Sequence, residues 1–109
     1  MKASQLFEEI VGVYQKHGWQ LRRVLLTPAT RAELGSPSEL FKTAQVTEST
    51  VDALWFSRPS HEEREAWELR LLSENPYALF ETFEKDETEE QREEMQGEME
   101  ARLRDYVIK

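Results

Sequence analysis

The stretch VDALWFSRPSHEEREAWELRLLSENPYALFETF, residues 51–83, decides how this chain is built. Three runs of aromatic and aliphatic residues are separated by two short polar breaks containing proline, the pattern of antiparallel strands and their turns. Taking Pro59 to Arg64 as the first loop sets Phe56 opposite Trp67 and Leu54 opposite Leu69. Taking Ser73 to Pro76 as the second sets Leu72 opposite Tyr77 and Leu69 opposite Phe80. Opposed residues share a face. One face is therefore expected to hold Leu54, Phe56, Trp67, Leu69, Leu71, Ala78 and Phe80, a core face. The other is expected to hold Ala53, Trp55, Ser57, Glu68, Arg70, Leu72, Tyr77, Leu79, Glu81 and Phe83. Around Trp55, Leu72, Tyr77, Leu79 and Phe83 this second face is too apolar for water, so a helix, a second subunit or a partner should cover part of it. A slip of one residue would exchange the faces of a whole strand.

Working outward toward the N-terminus, Leu6, Phe7, Ile10, Val13, Tyr14 and His17 recur at helical spacing, and Glu8, Glu9, Gln15 and Lys16 take the opposite side. Residues 4–17 read as an amphipathic helix with Ser4 as N-cap and Gly18 as the glycine that ends it. Residues 19–27 (WQLRRVLLT) become apolar on both sides toward the end, which suits a strand inside the sheet, and Pro28 stops it. Arg22 and Arg23 point to opposite faces of such a strand. Residues 28–42 form a connector with two helical starts, at Thr30 and at Ser36-Pro37, each matching the capping box. Leu34, Leu40 and Phe41 should pack inward. Residues 42–50 are either a short extra strand or an extended lead into the meander.

Beyond Phe83 the chain turns acidic. Residues 84–105 carry ten acidic and four basic side chains, against twelve and nine in residues 1–83. Thr88 and Gln91 form a capping box, and Met95, Met99, Leu103 and Tyr106 or Val107 make one narrow apolar stripe. The expected element is a C-terminal helix whose start, residues 84–94, is solvated, with Glu98–Arg102 and Glu100–Arg104 pairs along it. The fold expected is α+β and a single domain, residues 1–109. It has an N-terminal helix, about four antiparallel strands with a short helical-turn insertion, and the C-terminal helix.

Composition narrows the function. At 39% hydrophobic and 10% aromatic the chain should fold. No apolar run approaches the roughly 20 residues that span a membrane, no signal peptide pattern opens the chain, and there is no cysteine. A cytoplasmic protein is expected. The net charge of −8 with no basic patch disfavours nucleic acid and anionic membrane as partners.

Residue types that carry chemistry are sparse. His17 ends the first helix, where a capping role suffices. His61 sits in a charged loop beside Glu62 and Glu63, and consecutive loop residues do not fix a metal geometry. Glu68 and Glu81 come opposite each other in the register above, with Arg70 diagonal to Glu81, a surface charge cluster rather than a proton-sharing dyad. The acidic run lacks a calcium-loop pattern, there is no nucleophile elbow, and the four glycines, at positions 12, 18, 35 and 97, are isolated. No catalytic residue, cofactor or metal site is therefore expected. The reading that remains is a non-enzymatic interaction module. It dimerises or binds a protein or peptide through the second face, using Trp55, Tyr77, Leu79, Phe83, Met95 and Met99, since aromatic anchors and adaptable methionines suit interfaces. The alternative is a small-ligand or enzymatic domain with a pocket between the first helix and the sheet, around Tyr14, Trp19 and Trp67.

Overall fold

A computed structural model describes residues 3–34 and 44–108. The elements run α1 (Ala3–Lys16), β1 (Gln20–Leu26), α2 (Pro28–Leu34), β2 (Gln45–Glu48), β3 (Ala53–Pro59), β4 (Glu65–Leu71), β5 (Ala78–Phe83) and α3 (Glu89–Ile108). The five strands form one sheet in the order β2-β1-β3-β4-β5. All neighbours are antiparallel except β1 and β2. The fold is α+β as expected, with five strands instead of about four. The extra strand comes from Gln45–Glu48, which pairs parallel to β1 and puts β1 inside the sheet.

α1 and α3 cover opposite faces of the sheet. Phe7, Ile10 and Val11 of α1 pack on Leu21, Val24 and Leu26 of β1 and Leu54 and Phe56 of β3. On the opposite face, Met99 and Leu103 of α3 pack on Leu25, Val51, Ala53, Trp55, Leu69 and Leu71. Gly18 ends α1 at φ 86°, a backbone that L side chains rarely adopt. α1 begins at Ala3, so Ser4 lies within the helix and is not its N-cap. α2 begins at Pro28 rather than Thr30. The Thr27 hydroxyl accepts the Thr30 N–H at 3.3 Å, and the Asp52 carboxylate takes the Thr27 N–H and the Thr30 hydroxyl, both at 2.7 Å. Proline fits there because the first helical N–H has no intrahelical partner. The second helical start, at Ser36-Pro37, and Leu40 and Phe41 lie outside the described residues.

The meander forms, with one strand shifted by a residue. β3 pairs β4 with Phe56 opposite Glu68 and Ser57 opposite Trp67, and β4 pairs β5 with Leu69 opposite Leu79 and Trp67 opposite Glu81. The first loop is one residue shorter than expected, because Pro59 pairs with Glu65. The second is longer, closed by the Leu71 N–H on the Tyr77 carbonyl at 2.9 Å. The two shifts cancel, so β3 and β5 keep their faces and β4 alone exchanges its own. Trp67, Leu69 and Leu71 thus join Trp55 under α3, while Glu68 and Arg70 move to the α1 side. The reason is burial: this register places three large apolar side chains of β4 beneath a helix and leaves Glu68 and Arg70 half-buried on the other face. Glu68 and Glu81 are consequently on opposite faces and form no pair.

Arg22 and Arg23 also depart from alternation. A bulge between Leu21 and Arg23 lets both act on the α3 side, where Arg22 Nε donates to Ser57 Oγ at 2.7 Å and Arg23 lies 3.7 Å from Glu100. In α3 the Thr88–Gln91 capping box forms in both directions, at 2.9 and 3.1 Å. Residues 84–94 are mostly exposed. Glu87 and Arg92 are half-buried, and Arg92 reaches inward to Glu65 at 2.7 Å.

Candidate functional site

The six residues singled out for interaction gather on the α3 face. Trp55, Phe83 and Met99 are buried there, and Tyr77, Leu79 and Met95 are half-buried at its margin. Strand alternation puts Trp55 and the odd-numbered residues of β5 on this face, and the Met95/Met99/Leu103 spacing lays one stripe of α3 across it. The Trp55 indole donates to Glu100 Oε2 at 2.9 Å. Trp67 meets Trp55 and Phe83 edge-on, with ring centroids 6.1 and 6.4 Å away. Near the start of β5, Tyr77 stacks on Tyr106 of the last turn of α3 at 3.7 Å. At the strand's other end the Glu65 carboxylate accepts from the Trp67 indole at 3.0 Å and from Arg92 at 2.7 Å. Those bonds, the indole's first, hold its pKa below the ordinary carboxylate value against the opposing effect of partial burial.

The centre of this face is closed by the chain itself, and its β5 margin is not. Among the described residues the exposed large hydrophobics are Val13, Phe80, Tyr106 and Val107. Tyr106 and Val107 belong to the helix turn beside Tyr77 on this face, whereas Phe80, on β5, projects from the α1 face beside Trp19. Phe80 was expected in the core but is 58% exposed, because β5 is the sheet's edge strand and the buried residues of α1 pack over β1 and β3. The one signal for this in the sequence is that no further strand follows Phe83. The opposite edge strand, β2, is short and polar, the usual protection against unwanted pairing.

The α1 side holds the remaining polar features. A cleft of about 420 Å³ lies between α1 and the end of β4, lined by Leu6, Glu9, Ile10, Val13, Tyr14, Arg70, Ser73 and Glu74. The Tyr14 hydroxyl donates to Glu68, and its ring stacks on Phe56 at 4.1 Å. Trp19 lines a separate cleft with Arg58, His61 and Phe80, and Trp67 lies on the other face. The pocket expected around Tyr14, Trp19 and Trp67 is therefore not one site. His17 Nδ1 donates to the Val13 carbonyl at 2.9 Å, a helix-end contact, and His61 is exposed. No group of three or more His, Asp or Glu among the described residues is placed to hold a metal ion.

Burial first, and then the bond to Glu68, push the Tyr14 phenol well above its ordinary pKa of 10.0. The folded state thus favours the protonated ring. Its contribution is complete below pH about 10 and is lost as pH rises through the folded value. Tyr14→Phe is expected to cost about 1 kcal/mol at neutral pH from the lost hydrogen bond and to flatten the alkaline fall in stability. Urea midpoints taken across pH 8 to 11 (roughly spanning the tyrosine range) check this. An unchanged alkaline slope would show that Tyr14 does not set it.

No known protein family, no curated protein and no solved structure matches this chain. Among the described residues no helix is long and apolar enough to cross a membrane.

Proposed function

We propose that this protein is a non-enzymatic interaction module of the cytoplasm that engages a protein or peptide, or another copy of itself, through the β5 margin of the second sheet face. One observation carries this reading. Tyr106 and Val107, exposed by 42% and 46%, belong to the helix turn that stacks on Tyr77 at this margin, and Phe80, 58% exposed, projects from the opposite face of the same edge strand. Exposed apolar residues on an otherwise polar surface mark interaction sites. Tyr77, Leu79 and Met95 continue the patch toward the core. The net charge of −8 opposes association with phosphate backbones and anionic lipid surfaces. The interface would have an apolar centre and an acidic rim supplied by the first half of α3.

The double variant Tyr77→Glu/Leu79→Glu tests the reading. It is expected to keep the wild-type circular dichroism spectrum and to lose every partner that the wild-type chain captures by cross-linking in an extract of its source cells. The same partners captured by both chains would sink the proposal. So would unfolding of the variant, which would make the margin part of the core.

A further inference from the structure

The free edge of β5 has an unusual inventory of backbone groups. The Leu71 N–H bonds the Tyr77 carbonyl, which fixes the parity of the strand. Tyr77, Leu79, Glu81 and Phe83 turn their backbone groups toward β4, while Ala78, Phe80 and Thr82 turn theirs outward, as does Pro76 just before the strand. Thr82 N–H is already taken by the Glu81 carboxylate at 3.3 Å, and Pro76 has no N–H. The outward donors that no described residue occupies are those of Ala78 and Phe80.

We infer that β5 pairs with β5 of a second copy, antiparallel about Leu79, to make one continuous sheet across two chains. This rests on the interaction reading above and names its partner. A twofold axis can fall on any residue of β5, and the inventory separates the registers. An axis at Ala78 sets Phe80 against Pro76, which returns no N–H, and one at Thr82 or Phe83 opposes Thr82 or Glu84, whose N–H groups are engaged. Symmetry about Glu81 sets the two carboxylates directly against each other. Symmetry about Phe80 spends Ala78 on Thr82, whose N–H is engaged. Symmetry about Leu79 gives Ala78 of each copy to Phe80 of the other, a hydrogen-bonded pair that exchanges both bonds, and puts Thr82 against Pro76, where neither offers a free N–H. The side chains agree with that register. Leu79 meets Leu79, the small Ala78 meets the large Phe80, and each Glu81 meets a Tyr77 rather than the other carboxylate. The arrangement is isologous, as a dimer interface built from one patch must be. The twofold axis is perpendicular to the sheet, so both α3 helices lie on the same side, and Tyr106 and Val107 flank the join.

The charge sets the salt dependence. Two copies at −8 each repel, and added salt screens that repulsion, so self-pairing should tighten as salt rises. A basic peptide on the same edge would weaken instead.

Light scattering on a sizing column, at two protein concentrations and two salt concentrations, tests the inference. The wild type is expected to reach twice the 12.9 kDa of the chain, more completely at high salt. Ala78→Pro removes an outward donor at the first position of β5 without touching the β4 ladder, and it should return the mass to that of one chain with the circular dichroism unchanged. Phe80→Lys, an edge charge at an exposed position, should do the same and decides the matter if the proline variant fails to fold. A wild type that is monomeric under every condition overturns self-pairing. A dimer unaffected by Ala78→Pro or Phe80→Lys overturns the β5 edge as its site. In either event the interaction reading still stands or falls on the Tyr77→Glu/Leu79→Glu capture experiment.

Discussion

Trp55→Ala is expected to lower unfolding stability by about 3–5 kcal/mol, the range for removing a large buried aromatic ring. Trp55 is 1% exposed and stands where the two largest aromatics of the second face meet. Its loss opens a cavity beneath α3 and leaves the Glu100 carboxylate with Arg23 as its remaining partner on that face. Domains of this size are stable by about 5–15 kcal/mol, so the variant should be near unfolding at 37 °C, a growth-like temperature at which such losses show. Trp55→Phe separates packing from the hydrogen bond. It keeps most of the apolar volume and should cost about 1–3 kcal/mol for the unmade bond. Phe80→Ala, at a residue of similar chemistry left in water, should change stability by less than about 0.5 kcal/mol. Urea denaturation of the three variants checks all of this. Equal costs at Trp55 and Phe80 would mean that the strands do not face as described.

The second large effect concerns the helix that closes that face. Leu103 has no exposed surface and Met99 is 2% exposed, both from α3. Leu103→Asp removes the about 2–5 kcal/mol that a buried leucine typically supplies over alanine and sets a carboxylate with no partner against Trp55 and Leu69. The variant is expected to release α3. Far-UV circular dichroism should lose the helical signal of its 20 residues, tryptophan emission should shift to the red, and a dye for exposed apolar surface should bind. Aggregation should follow, since the bared face carries Trp55, Trp67, Leu69 and Leu71. A variant with wild-type helicity and emission would show that α3 is not what covers the sheet.

Much of the fold was legible because local chemistry and packing agree along most of the chain. The helical spacing of Phe7, Ile10 and Tyr14, the glycine at position 18, and the Thr88–Gln91 box each specify a helix or its end without reference to distant residues. β4 was misread for the opposite reason. Its run Trp67-Glu68-Leu69-Arg70-Leu71 alternates cleanly, but alternation states which residues share a face and not which face meets α3. That choice was settled by two odd-length turns, Ser60–Arg64 and the one closed by Leu71 and Tyr77, whose lengths depend on tertiary closure. Glu62 and Glu63 adopt positive φ in the first of them, a conformation the sequence did not announce. The parallel pairing of β2 was illegible as well, since a four-residue polar strand is recruited by β1 rather than by its own propensity. As for the candidate site, Tyr77 and Leu79 were recognisable as apolar residues on a second face. Phe80 was not, because exposure at a sheet edge is a property of strand order, which the meander alone leaves open.

Residue-resolved amide exchange along β5, followed as the protein is concentrated, probes most directly whether this edge is where the chain meets its partner. In dilute solution the N–H groups of Leu79, Glu81 and Phe83 should be protected by β4, while those of Ala78 and Phe80 exchange quickly. As concentration and salt rise, Ala78 and Phe80 should become protected while Leu79 stays as it was. Exchange at Ala78 and Phe80 that is slow from the outset, or fast at every concentration, would contradict an open edge that closes on a second copy.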